Sequence, residues 1–474
     1  MTSVESHQPG RSHRPRVVII GAGFGGLYCA KRLARDNVDL VIIDRRNFHL
    51  FQPLLYQVAS GSLSTGEIAS PIRSEFTGRE NVTVLQAEVQ DISFARRQVM
   101  LSVGEPVEFD YLVVATGSHH HYFGREDWAK LAPGLKTVED AVEMRSRILN
   151  AFEEAEMAAF DQERVTAALT FVIVGGGPTG VELAGTIGDL AHSTMRGEFR
   201  RSKPSDARVI IVENDDRVLP MYSRPVSDKA GQFLRELGVE LMLGWKVTDI
   251  TTHDVELTGE GGKIRIPCRT VLWAAGNKAS PLGKVTADQA ATETDRAGRV
   301  NVNDYLNVPG WPNVFVIGDL ANCKDEDGKP LPGVAPVAMQ QGKYVAKCIA
   351  RRIRGKKDQP FSYFNKGSLA VVGRNRAVAE RGKFHLTGWL AWAAWALVHI
   401  TYLVEFQNRV VVVCRWAFNY ITRQRGARLI TGEVASAPSG PVNPQQVATE
   451  TRNSGGEKSS PHEPLPQVPA ENTL

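Results

Sequence analysis

The sequence predicts an α/β fold: two Rossmann-like dinucleotide-binding domains, the second inserted in the first, followed by a C-terminal membrane-associating helical segment. Three observations lead there. Gly21, Gly23 and Gly26 follow the apolar run Val17-Val18-Ile19-Ile20, and Gly175, Gly177 and Gly180 follow Phe171-Val172-Ile173-Val174. A strand running into Gly-x-Gly-x-x-Gly lets backbone approach a pyrophosphate and places it at a helix N-terminus, where amides and dipole favour negative charge. Third, residues 384–404 carry no Lys, Arg, Asp or Glu and include Trp389, Trp392, Trp395 and Tyr402. Two dinucleotide loops in tandem imply two dinucleotides, and a pair held face to face implies hydride transfer between them.

Each loop should be answered by an acid at the end of the next strand, where it binds ribose hydroxyls. Asp44 closes Leu40-Val41-Ile42-Ile43 at the expected distance. Glu213 closes Val209-Ile210-Ile211-Val212 farther from its loop than the roughly 20 residues of the fingerprint. The polar stretch of about 191–206 reads as an insertion after the helix. Glu213 would repel a 2′-phosphate, which favours NADH over NADPH, with Arg208 and Arg217 nearby as moderating charges. Two small-residue turns, Ala115-Thr116-Gly117 and Ala274-Ala275-Gly276, follow strand-like runs and let backbone approach a nucleotide. Between them lies a charged helical segment at 139–162. Val314-Phe315-Val316-Ile317 ends in Gly318-Asp319, a return to the first domain.

The expected organisation is therefore an N-terminus at 1–14 without a fold, a first nucleotide domain at 15–125 and 295–355, and a second at 126–294. A membrane-associating region follows at 356–432. The tail at 433–474 is too poor in large apolar residues to fold. The 474 residues exceed one ordinary core, and the net charge of +4 is too small to argue for nucleic acid. No apolar signal-peptide core opens the chain, so the folded part is expected in the cytoplasm. None of the five cysteines lies in a close pair, which gives disulfide reduction and metal sites no support. His119-His120-His121 invites a metal reading, but neighbours in a row point apart and no further ligand completes a site.

As one helix, residues 384–404 would run roughly 30 Å, enough for a bilayer. The next segment places Asn408, Arg415, Asn419 and Thr422 on one face, the pattern of a helix lying in the interface with its polar face out. Arginines and lysines flank the apolar stretch on both sides, so neither flank favours translocation. A monotopic helix pair at the cytoplasmic membrane face is expected, with arginines meeting anionic lipid.

With these residues in view, the chain resembles the type II, non-proton-pumping NADH:quinone oxidoreductases over nearly all of 17–426. The matching stretches are Gly21-Ala22-Gly23-Phe24-Gly25-Gly26, Phe51 to Tyr56, Gly175 to Glu182, Val316-Ile317-Gly318-Asp319 and the C-terminal segment. The resemblance implies a glutathione-reductase-like arrangement with FAD in the first domain, NADH in the second and a homodimer. It implies a hydride passed from NADH to FAD and two electrons passed on to a quinone, menaquinone or ubiquinone, at the membrane. Asp44 then corresponds to the FAD ribose ligand, and Gly318 and Asp319 to contacts with the ribityl–phosphate portion. Glu182 corresponds to the acid near nicotinamide and flavin.

One departure stands out. The helix after the Gly-Asp strand usually begins Ala-Gln-x-Ala-x-Gln in this family, its glutamines flanking the quinone. Here it reads Ala335-Pro336-Val337-Ala338-Met339-Gln340. Gln340 is kept, whereas Pro336 has neither a side-chain donor nor a backbone N–H. The quinone site is served differently, or tuned to another quinone, or the acceptor is not a quinone. Two rival functions stay open: reduction of a ferredoxin-like protein, and membrane-bound nucleotide sensing.

Overall fold

A computed structural model describes residues 14–404, 406–422 and 424–431, and the described residues up to 430 form one compact unit. The expectations for residues 1–13 and for the tail at 433–474 lie outside the described residues.

In chain order, the first domain opens with β1 (Arg16–Ile20), α1 (Phe24–Leu33) and β2 (Asp39–Asp44). A short, fully buried helix, α2 (Leu55–Ala59), comes next, and β3 (Val82–Gln86) and β4 (Tyr111–Val114) follow. The charged helix α3 (Val138–Met157) leads to β5 (Thr170–Val174), α4 (Pro178–Asp189) and β6 (Arg208–Glu213). Then come α5 (Arg224–Glu236), β7 (Val239–Leu243) and β8 (Thr270–Trp273). The chain returns through β9 (Asn307–Val308), β10 (Trp311–Val316) and α6 (Ala335–Ile353). It closes with β11 (Ser368–Gly373), β12 (Arg376–Arg381), β13 (Phe384–Thr387), α7 (Trp389–Tyr402) and α8 (Phe406–Thr422).

The first sheet runs β9-β10-β4-β1-β2-β3, parallel except at its β9 edge; the second runs β7-β6-β5-β8, all parallel. Helices cover both faces of such sheets, which is why their strands are unbroken Val/Ile runs rather than alternating ones. In register, Ile20 pairs with Ile43 and Val114, and Val174 with Val212 and Trp273. Within each sheet the three central ends therefore stop at one level, and ligands in open α/β sheets bind beyond those carboxyl ends. Since β9 and β10 complete the first sheet after the second is finished, the second domain is inserted in the first. Short antiparallel strands at Ser118–His120 and Asn277–Ala279 tie the two together.

The C-terminal region departs from expectation in two ways. Residues 384–404 are not one helix. Phe384–Thr387 is an edge strand on β12, Gly388 turns the chain at φ +74°, and only then does α7 begin. Fourteen helical residues span about 21 Å against about 30 Å of hydrocarbon. Among the described residues no helix is long and apolar enough to cross a membrane.

The polarity of α8 is also opposite to the reading above. Asn408 donates to Ser70 Oγ (3.4 Å), Arg415 to Glu67 (3.1 Å), Trp416 to Gln57 (2.8 Å) and Asn419 to the Ser62 carbonyl (3.2 Å). Its polar face is turned inward onto the segment 57–70. Val410, Val411, Val413, Phe418 and Ile421 face out, Ile421 at 80% exposure. The periodicity is real, but polar groups lining residues 57–70 demanded polar partners, because a buried polar atom must be hydrogen-bonded.

Candidate active site

One continuous cavity of about 1910 Å³ lies beyond the strand ends, lined from both nucleotide domains and from the C-terminal region. This is about twice the upper end of the 300–1,000 Å³ that a single small ligand occupies.

At its first end the glycine loop shows three distinct requirements. Gly21 has φ +96°, and a Cβ there would lie 2.5 Å from the Ala115 carbonyl. A Cβ on Gly26 would lie 1.8 Å from the Gly21 carbonyl, whereas Gly23 has nothing within 4 Å. Two glycines thus serve the fold and the middle one faces open space, which fits a pyrophosphate at the N-terminus of α1. Asp44 accepts the Ala22 amide at 2.6 Å and the Arg46 amide at 2.8 Å while lining the cavity, and burial raises its pKa.

The second loop repeats the pattern. Gly175 has φ +107° against Ala274, a Cβ on Gly180 would lie 1.9 Å from the Gly175 carbonyl, and Gly177 is open. Glu213 accepts the Gly176 amide at 2.6 Å, as Asp44 does from Ala22. The sequence separations are 37 and 22 residues. A π-turn at Leu190–Thr194 and irregular chain up to Asp206 make up the difference.

Ala115, Thr116, Gly117, Ala275, Gly276, Gly318 and Asp319 all line the cavity. Three supporting groups there gave no sequence signal. Ser118 Oγ donates to Asp319 at 2.8 Å and receives Lys136 Nζ at 3.1 Å, so a cation stands beside the Gly-Asp turn. Buried Gln341 accepts the Gly318 amide at 2.7 Å. His49, whose pKa burial lowers to about 4, is neutral at physiological pH; its Nδ1 lies 2.8 Å from the Ala22 carbonyl. A carbonyl only accepts, so Nδ1 carries the hydrogen, and the bond fixes the peptide that presents the Gly23 N–H.

Glu182 sits just past the first turn of α4 and lines the cavity. One turn further, Gly185 leaves room for the Val372 carbonyl of β11, so strand and helix touch. Burial pushes the Glu182 carboxyl up to about 8, opposed by a backbone hydrogen bond from Val371. Its carboxyl therefore holds a proton at neutral pH, as an acid kept ready for transfer must.

Pro336 lines the cavity; Gln340 does not. The Gln340 amide is closed on the backbone of Phe364, donating to its carbonyl and accepting its N–H, both at 3.0 Å. Pro336 lies in the first turn of α6, where a helix has no use for the missing N–H. The same cavity is walled from the C-terminal region by Val398, His399, Tyr402 and Lys366, with Lys366 Nζ donating to the Tyr402 hydroxyl at 2.7 Å.

The three histidines diverge: His119 is exposed, His120 lies 3.1 Å from Asp140, and His121 packs on Phe123. Among the described residues no cluster could hold a metal. The cysteines are free, four of them buried. Burial raises the Cys268 thiol to about 12 and those of Cys323 and Cys348 to about 11, where no thiolate forms at neutral pH.

Residues 15–342 match the pyridine nucleotide-disulphide oxidoreductase family model, and residues 365–424 match the NDH2 C-terminal domain. The chain is 42% identical over 454 residues to the type II NADH:quinone oxidoreductase Ndh of Mycobacterium tuberculosis, covering 94% of this chain and 96% of that one. The chain belongs to the type II NADH:quinone oxidoreductases. NdhA of the same organism is 44% identical, covering 90% of this chain and 91% of its own. Demethylphylloquinone reductase NdbB of Synechocystis is 32% identical, covering 87% of this chain and 97% of its own. The structure of NDH2 from Plasmodium falciparum in complex with NADH superposes with a TM-score of 0.81 at 20% identity, over 89% of this chain and all of that one, and shares the fold.

Proposed function

We propose that the chain oxidises NADH and reduces a quinone at a membrane surface through bound FAD, without pumping protons. The carrying observation is the single cavity that runs from Gly21 and Gly23 past Pro178, Thr179 and Glu182 at the start of α4 to the wall formed by α7, with Gly175, Gly177, Gly180 and Glu213 outside its lining. FAD supplies the redox chemistry, taking a hydride from NADH and delivering two electrons to the quinone. Residues 15–125 and 295–355 bind FAD through Gly21, Gly23, Gly26, Asp44, the 115–117 turn, Gly318 and Asp319. Residues 126–294 bind NADH through Gly175, Gly177, Gly180, Glu213, Ala275 and Gly276. The protein's main contribution to hydride transfer is orientation, holding the reacting atoms at about 3–3.5 Å. Glu182 passes on a proton needed at the quinone. Gln340 acts through Phe364, shaping the loop that carries Lys366. Anaerobic flavin absorbance after NADH, then after quinone, tests the reading.

NADH is preferred to NADPH. Arg208 is forked onto Glu240 at the far end of β6 from Glu213, and Arg217 is bound to the Pro220 carbonyl. Neither guanidinium is offered to a 2′-phosphate. Glu213→Gln is expected to raise KM for NADH about tenfold, as loss of a charge-assisted hydrogen bond does, and to narrow the NADH/NADPH ratio of kcat/KM. An unchanged ratio would remove Glu213 from the ribose site.

The outward faces of α7 and α8 carry Trp389, Leu390, Leu397, Phe418 and Ile421 exposed. Large exposed apolar side chains gathered on two helices mark an interaction surface, and we assign it to the cytoplasmic face of the membrane, entered monotopically. Each such side chain is worth about 1.5–3 kcal/mol when fully buried, so Phe418→Ser with Ile421→Ser should weaken binding to anionic vesicles by more than about tenfold. Unaltered sedimentation with vesicles would reject the assignment. A homodimer is part of the proposal, tested by the mass of the detergent-solubilised protein.

A further inference from the structure

Quinol formation consumes two electrons and two protons, whereas the hydride from NADH brings two electrons and one proton. The other proton comes from water. The inference rests on the proton role of Glu182 given above and asks how that carboxyl is resupplied.

Glu182, Tyr222 and Glu380 line the same cavity. Tyr222 is buried, with its pKa raised by that burial and then by the charges of Glu182 and Glu380. The adjacent residue holds Glu380 in place. The Ser223 N–H donates to Glu380 Oε2 at 3.0 Å, and the Ser223 hydroxyl donates to the same oxygen. Ser223 is also the N-cap of α5, where a serine hydroxyl ordinarily accepts a helix amide. Here it makes no cap hydrogen bond, so the helix forgoes its cap and the carboxylate is fixed instead. His385 Nε2 lies 3.6 Å from Glu380 Oε2 and 3.4 Å from Ser223 Oγ, with its side chain 34% exposed. Glu380 and His385 are cross-strand partners on β12 and β13, next to exposed Phe384 at the apolar rim.

We propose that His385, Glu380 and Tyr222 carry a proton from water at the membrane rim to Glu182. His385 Nε2 takes the proton from water and yields it to the Glu380 carboxylate. Through water in the cavity, Glu380 passes it to the Tyr222 oxygen as that hydroxyl releases its own hydrogen towards the Glu182 carboxylate. One proton moves from water towards the quinol oxygen, and no electron moves along the route. The other groups facing it are few. Tyr56 faces Glu182, and Arg425 acts on Tyr56. Lys366 lines the same cavity and is engaged by Tyr402, and Arg381 lies over the Phe364 ring rather than on Glu380.

Glu380→Gln keeps the shape and an acceptor for Ser223 but cannot carry the proton, and His385→Gln changes only a rim residue. In anaerobic stopped flow on the full-length holoenzyme, both variants should be reduced by NADH at the wild-type rate. Their reoxidation by a short-chain quinone should slow by about tenfold or more, less than the roughly hundredfold loss of a missing general acid because Glu182 itself is kept. Formate or imidazole should restore part of the Glu380→Gln rate, and adding Glu182→Gln should slow it no further than Glu182→Gln alone. In infrared spectra of the oxidised enzyme, the protonated-carboxyl band assigned by Glu182→Gln should follow a pH jump more slowly in Glu380→Gln. Wild-type reoxidation in both variants, or equal slowing of the two half-reactions, would overturn the route. Failure of quinone to reoxidise the unaltered enzyme would instead overturn the function on which it rests.

Discussion

Gly26→Ala and Gly180→Ala are expected to produce two different losses. In Gly26→Ala the new Cβ would meet the Gly21 carbonyl at 1.8 Å, backbone that cannot give way without opening the turn. The loop and the start of α1 would separate and the protein should be isolated without FAD. In Gly180→Ala the same clash occurs 1.9 Å from the Gly175 carbonyl, in the other domain. That variant should keep its yellow cofactor and be reduced by dithionite but not by NADH. Gly23→Ala is the informative control. With nothing within 4 Å it meets no protein atom, so its apoprotein should melt like wild type while FAD retention falls. Flavin-to-protein ratio, NADH bleaching and thermal melting read all three. Loss of FAD from Gly180→Ala would exchange the assignment of the two loops.

Glu182→Gln should separate the half-reactions. The amide keeps the size of the side chain and removes the proton. Reduction by NADH is expected near the wild-type rate, with reoxidation by quinone slowed by about a hundredfold, the scale of a missing general acid. The pH dependence has a definite sign. Burial holds the carboxyl up at about 8, so the protonated, competent form is present below that pH and is lost above it. Wild-type reoxidation should fall on the alkaline side of about pH 8, whereas the Gln variant should be slow and lack that limb. A variant as fast as wild type in both half-reactions would remove Glu182 from the proton path.

Most of the nucleotide-binding architecture was legible because it depends on local backbone chemistry. A strand, three glycines with separate steric duties and a terminal acid are short-range features, and the long gap before Glu213 was readable as an insertion at 191–206. The C-terminal region was harder because its orientation depends on what it packs against. Asn408, Arg415 and Asn419 share a helical face, and periodicity cannot say whether that face meets water or the polar groups of Gln57, Ser62 and Glu67. The apolar run at 384–404 hid a strand because its first residues fold back on Ala379, Glu380 and Arg381 in a hairpin, which the apolar composition of the run does not reveal. Lys136, Gln341 and His49 were missed for the same reason: each acts on a turn distant in sequence. Gln340 carries the family spacing, yet its amide is held by Phe364, 24 residues away.

The most direct measurement is anaerobic stopped-flow absorbance of the membrane-extracted enzyme, first mixed with NADH and then with a short-chain menaquinone. Rapid loss of the oxidised flavin band followed by rapid recovery is the expected result, and it would show that a cavity bearing Pro336 still accepts a quinone. Rapid loss with no recovery, repeated with ubiquinone, would contradict quinone reduction and leave only the two dinucleotide sites.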